Sequence, residues 1–410
     1  MDKIAFLFSG QGSQYIGMCK DLSKKSKAAK RTFEEASEVL GFDMEKLCTN
    51  GTKEEICKTE NAQVSILTLS IAQVRAYMEQ IGRKPQILAG HSLGEYAALV
   101  FSGAIKFEEA LKIVRLRGIF MSKAGSLKKG TMATIRNFDE NIVQDEIGKI
   151  KSKGFIICIS NYNARNNVVI SGEVKAVELA KKALEAKGAE VIDLNVSSAF
   201  HSPIMEAASE DLKSELEKID FKDFNYTVLS NVTAMPYKDR SDIVELLTKQ
   251  ITSPVQWTNI MKYLENNDIN LAIEFGPKAT LRNLIRNNMA NIKAYSYDKE
   301  EDKKELQAKL MKKYTIISRS LGLAVAVKNN NFNADEYQRY VIDPYRKIEK
   351  LKTELEMNGK EPNIEEMNMA VEMLKSVFNT KGVSLEEQRK RFNILFDETD
   401  TRQYFKDFEI

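Results

Sequence analysis

Histidine is nearly absent from this 410-residue chain, which carries only His91 and His201. Any chemistry that needs an imidazole base must use one of the two. Cysteine is scarce as well. Cys19, Cys48, Cys57 and Cys158 form no CxxC pair, which argues against a zinc site and against a disulfide framework. A reducing, cytoplasmic setting suits such a chain. Long apolar runs are missing too. The first, Ile4-Ala5-Phe6-Leu7-Phe8, stops at Ser9-Gly10, too soon for a signal peptide or a membrane span, and reads as a buried first strand. Charge of either sign is not in excess: the net charge is +3, with no basic stripe interleaved with aromatics, so neither nucleic acid nor a membrane is expected as a partner.

What is present is organised around Gly90-His91-Ser92-Leu93-Gly94. An apolar Ile87-Leu88-Ala89 precedes it and a helix-forming Glu95-Tyr96-Ala97-Ala98-Leu99-Val100-Phe101 follows. Strand, sharp turn and helix in that order make a nucleophile elbow, in which flanking glycines remove the side chains that would clash and leave a serine oxygen at the tip. Ser92 is therefore the candidate nucleophile. The N–H of Leu93, just after it, is the first candidate oxyanion donor. His91 sits beside Ser92, where neighbouring side chains diverge, so His201 is the better candidate for the base.

The rest of the chain reads as follows. Ser9-Gly10-Gln11-Gly12-Ser13-Gln14 is a glycine turn that is neither a P-loop nor a dinucleotide fingerprint, and its place after the first strand suits a second oxyanion donor. Val64, Leu67, Ile71, Val74 and Met78 mark the core stripe of a helix. A further helix spans roughly Phe107 to Lys123 and carries Arg115 and Arg117, about 200° apart, so at most one can face a site. Strand, helix, strand, strand, helix, strand between Gly130 and Val196 is the ferredoxin-like order. The larger unit resumes at Ser197, passes His201 on a loop before Pro203, which can open a helix, and continues with strands at 226–230 and 271–275. Strands alternating with helices predict a mainly parallel sheet covered on both faces.

These segments together resemble the malonyl-CoA:acyl carrier protein transacylases. LFSGQGSQ, GHSLGEYAAL, LRGIFM, NYNARNNVVISG, AFHSPIM, SNVTA, QITSPVQW and EFGP appear in family order over roughly the first 295 residues. The resemblance implies Ser92 as nucleophile, His201 as base, Arg117 as the anchor for the substrate's free carboxylate, and Gln11 with Leu93 as the oxyanion hole. It implies Gln250 as the support of the histidine and Phe200 as the bulky neighbour that suits a malonyl over a methylmalonyl group. It also implies a Ser-His dyad steadied by a backbone carbonyl near Gln250, in place of a triad whose acid would be sought at Asp193. Malonyl-CoA is then the substrate and an acyl carrier protein the partner, with no metal or redox cofactor.

From Asp298 the composition shifts to the charge run Asp298-Lys299-Glu300-Glu301-Asp302-Lys303-Lys304-Glu305, the mark of a solvated helix or linker. Helical periodicity beyond it, around Met367 to Phe378 and Leu385 to Phe396, predicts a folded tail. With its Ile342-Asp343-Pro344-Tyr345-Arg346-Lys347 segment, this tail is similar to the one that follows free-standing acyltransferases serving polyketide synthase modules. The expected architecture is α/β: an α/β-hydrolase-like subdomain with a parallel sheet (1–129 and 197–297), an inserted ferredoxin-like subdomain (130–196) and a mainly helical C-terminal extension (298–410). The rival readings are the same transfer in fatty-acid synthesis, an acyl hydrolase that clears carrier proteins, and an inactive docking module.

Overall fold

The computed structural model describes residues 2–196, 198–310, 315–406 and 408–409. Ser197, where the sequence places the return to the larger unit, lies outside them. Nine strands are found among the described residues: β1 (Ile4–Phe8), β2 (Ile87–Gly90), β3 (Gly130–Arg136), β4 (Ile157–Ala164), β5 (Asn167–Glu173), β6 (Glu190–Asp193), β7 (Thr227–Leu229), β8 (Leu271–Phe275) and β9 (Lys293–Ser296). They form a five-stranded sheet of order β7-β2-β1-β8-β9 and a four-stranded sheet of order β4-β5-β3-β6.

All pairs in the five-stranded sheet are parallel. Strand β1 at its centre is apolar at every position because both faces are covered. Ile4, Phe6 and Phe8 enter one core with the helix Thr59–Gln80, while Ala5 and Leu7 enter another with Trp257, Ile260, Leu281 and Ile285. The period-two alternation of a strand thus assigns successive side chains to opposite layers. The helix Thr59–Gln80 departs from the stripe its sequence suggests. It is buried on nearly all sides from Ala62 to Tyr77, polar Gln63, Thr68, Ser70 and Gln73 included.

Strands β3 to β6 pair antiparallel, with helices Glu140–Lys151 and Val174–Glu185 in the two crossovers, which is the ferredoxin-like arrangement the order of elements predicts. The compact unit that holds both sheets runs to Leu310, past the boundary expected at 297/298. Its final helix, Glu300–Leu310, contains the charged run from Glu300 onward. Asp302 there is buried, pairs with Arg282 and Arg286 at 3.1 Å, and accepts the backbone N–H of Ser296 at 2.7 Å. The run is thus largely the solvated helix expected, with Asp302 alone of its helical charges buried against the sheet's edge.

The second unit, Met311–Ile410, is helical and has its own core. Helices Ile316–Ala326, Asp343–Asn358, Ile364–Thr380 and Leu385–Glu398 bury Ile317, Leu321, Leu374, Phe378, Phe392 and Phe396 together. Lys381, buried, donates to the carbonyls of Ala324 and Val327 and so closes the C-terminal end of the first of these helices. No helix among the described residues is long and apolar enough to cross a membrane.

Candidate active site

The chain leaves β2 into the turn that holds Ser92, and the glycines on either side are required by contact. A Cβ on Gly90 would lie 1.9 Å from the carbonyl carbon of Gly94, and one on Gly94 would lie 2.1 Å from the carbonyl oxygen of Phe8. Ser92 itself is held at φ 53°, in the left-handed region that side chains avoid, at a cost of order 1–3 kcal/mol. Such strain persists only where the surroundings dictate it. Here Asn231 does so: its Oδ1 accepts the Ser92 N–H at 2.5 Å and its Nδ2 donates to the Gly90 carbonyl at 2.6 Å.

His201 arrives from the loop before the 3-10 turn Pro203–Met205, also at positive φ, 55°. Its Nε2 lies 2.7 Å from Ser92 Oγ, and its Nδ1 lies 2.7 Å from the backbone carbonyl of Gln250. That carbonyl can only accept, so Nδ1 carries the proton and Nε2 is free to receive one from Ser92. Burial first, and then the nearby charge of Arg117, lower the His201 pKa to about 3, which keeps the imidazole neutral. Asp193 has no part in this. It is exposed at the end of β6 and ion-paired with Lys181.

Arg117 decides the question its helix leaves open. It lies on Phe107–Leu127, is 1 % exposed, and donates from Nη2 to Ser92 Oγ at 3.2 Å and to Gln250 Oε1 at 3.0 Å. Nη1 donates to Gln63 Oε1 at 2.7 Å, while Nε is buried with no partner. Arg115 is elsewhere, half-buried over the ring of Phe42 and donating to Asn61. Gln11 joins the site through Gln63, whose Nε2 donates to Gln11 Oε1 at 3.2 Å. Phe200 is buried directly before His201.

Four groups here have no forecast in the sequence reading: Gln63, Glu95, Asn231 and Tyr237. Glu95 is fully buried and accepts from Gln250 Nε2 at 2.7 Å, from the Asn231 N–H at 3.1 Å and from the Tyr237 hydroxyl. Burial raises its pKa to about 7, against those donors and Arg117, which act to lower it. Gln250 Nε2 also donates to the Ser92 carbonyl at 3.0 Å, so one amide touches the elbow, the buried acid and the arginine. Signals existed for two of the four: Gln63 precedes Leu67 and Ile71 by one and two turns as a polar residue on their face, and Asn231 stands in SNVTA.

A serine at a strained elbow, a neutral histidine on its oxygen and a buried guanidinium beside it make a site suited to moving an anionic acyl group on and off the serine oxygen. The model of the acyl transferase domain matches residues 5–319. The chain belongs to the acyl transferase family. A malonyl CoA-acyl carrier protein transacylase of Bacillus subtilis is 36% identical to this acyltransferase over 401 residues, 95% of this chain and 99% of the relative. An alignment of that length takes in the C-terminal helical unit. The solved malonyl CoA-acyl carrier protein transacylase of Clostridium perfringens is 36% identical, covers 75% of this acyltransferase and 97% of its own chain, and superposes with a TM-score of 0.71. A malonyl-transacylase solved in complex with its type II PKS acyl-carrier protein is 34% identical, with 73% and 97% covered and a TM-score of 0.71.

Proposed function

We propose that this acyltransferase moves the malonyl group of malonyl-CoA to the phosphopantetheine thiol of an acyl carrier protein, through a malonyl ester of Ser92, in polyketide biosynthesis. The observation that carries the reading is Arg117: a buried cation with an unpartnered Nε, 3.2 Å from the nucleophile oxygen. A planar guanidinium grips a carboxylate by paired hydrogen bonds, and an acyl group without one leaves that buried charge unpaired. An acyl hydrolase acting on uncharged chains has no use for it.

In this reading His201 Nε2 takes the Ser92 proton as Oγ attacks the thioester carbonyl. The Ser92 N–H is committed to Asn231, so the oxyanion falls to the N–H groups of Leu93 and Gln11, each such donor being worth about 3 kcal/mol. The imidazolium then returns its proton to the departing coenzyme A thiolate. The carrier's thiol repeats the sequence in reverse: it gives its proton to His201, attacks the ester, and Ser92 recovers the proton. The kinetics are ping-pong.

The malonyl carboxylate also acts on the base. By neutralising Arg117 it removes the largest of the causes, after burial, that depress His201, so the correct substrate makes the imidazole a stronger base. Selection by Arg117 is then expressed in the chemical step as well as in binding.

The C-terminal unit supports the polyketide assignment over the same transfer in fatty-acid synthesis, because the resemblance to free-standing acyltransferases of polyketide synthases lies there. Transfer from malonyl-Ser92 to a purified polyketide carrier protein, in competition with a fatty-acid carrier protein, tests the assignment. Preference for the fatty-acid carrier would overturn it.

A further inference from the structure

Arg117 and Glu95 are both buried, and a single amide joins them. Glu95 Oε2 accepts Gln250 Nε2 at 2.7 Å, and Gln250 Oε1 accepts Arg117 Nη2 at 3.0 Å. Both bonds orient the amide the same way, since a carboxylate can only accept and a guanidinium can only donate. Among the described residues the side chains that Arg117 donates to, Gln63, Ser92 and Gln250, are all uncharged, although a guanidinium out of water requires compensating charge nearby. Glu95 supplies it at one remove.

We propose that Glu95 is the resident counter-charge of Arg117, and that it takes up one proton from solvent when the substrate's carboxylate reaches that arginine, so that malonyl affinity is linked to protonation of Glu95. The inference rests on the malonyl reading above. With both carboxylates ionised, the site would hold two negative charges against one positive in a medium where charge is poorly screened. Protonating Glu95 restores the balance. The Tyr237 hydroxyl, which donates to the ionised carboxylate, can turn so that its oxygen accepts from the protonated one.

The groups that face this cluster leave Glu95 alone in the working range. Burial pushes the phenols of Tyr96 and Tyr237 up, His201 is held near 3, His91 is lowered by burial, and Arg117 stays charged. Glu95 titrates at about 7. Below that pH it is already protonated and malonyl binding needs no proton. Above it each binding event must bring one, so the KM for malonyl-CoA climbs toward a limit of about tenfold per pH unit.

The test is the KM for malonyl-CoA between pH 6 and 9, read from acylation of Ser92, with the inhibition constant of free coenzyme A as the control that has the same phosphates and no carboxylate. The wild-type KM rises above pH 7 while the coenzyme A constant stays level. Glu95→Gln keeps an accepting oxygen for Gln250 and Asn231 without the charge, and its KM is level. Tyr237→Phe removes a donor to the ionised form, so its rise begins at higher pH than in the wild type. A purely structural Glu95 would lower turnover without moving these profiles. A wild-type KM that is flat from pH 6 to 9, or a rise that survives in Glu95→Gln, overturns the inference while leaving malonyl transfer intact. Failure of Ser92 to take up malonyl at all removes the reading beneath it, and the inference with it.

Discussion

Nη2 of Arg117 lies 3.2 Å from Oγ of Ser92, so one buried cation touches the same oxygen that hydrogen-bonds to His201. In the proposed mechanism, substrate choice and nucleophile are therefore a single contact apart. Replacing Arg117 by Ala should lower kcat/KM for malonyl-CoA by about 100-fold or more, the scale of a lost charge-assisted pair, while acylation by acetyl-CoA rises relative to malonyl. Side-by-side acylation kinetics with the two thioesters check this. Unchanged selectivity would remove the anchor.

The pH dependence of the base follows from its burial. With the His201 pKa lowered to about 3, the imidazole stays in its neutral, proton-accepting form throughout the mildly acidic range. The kcat/KM for malonyl-CoA, which reports the free enzyme, should be level between pH 5 and 7. An acid limb centred near the ordinary histidine value of about 6.5 would contradict the account.

Asn231 should matter as much as the nucleophile's neighbours in sequence. Replacing Asn231 by Ala strands the Ser92 N–H and the Gly90 carbonyl, two buried groups, at about 1–3 kcal/mol each. A lower Tm with a fall in kcat is the expected pair of effects, measured by thermal unfolding and by acylation rate. Wild-type kcat would show that the elbow is held without it.

These residues also show what a sequence can and cannot disclose. The elbow was legible because its two glycines flank Ser92 between an apolar strand and a helix-forming run, and the first sheet because β1 is apolar throughout. Helical angle alone separates Arg115 from Arg117 without choosing between them; the resemblance at LRGIFM pointed to Arg117, and packing buries it. Asn231 and Glu95 meet across 136 positions of chain, and no local pattern marks such a meeting. The helix Thr59–Gln80 hid its full burial behind polar residues that find partners inside, as Gln63 does with Arg117 and Gln11. The charge run at 298–305 is for the most part the solvated helix its composition suggests, and only Asp302 within it is buried, held by two arginines that no local pattern marks.

The central claim is a malonyl ester on Ser92 that passes to a carrier. The direct measurement is intact-protein mass spectrometry after mixing with malonyl-CoA, acetyl-CoA or methylmalonyl-CoA, followed by addition of a phosphopantetheinylated carrier protein. The account predicts an adduct from malonyl-CoA alone, absent in Ser92→Ala, that leaves the enzyme and appears on the carrier. An adduct from acetyl-CoA, or one lost to water faster than to the carrier, would contradict it.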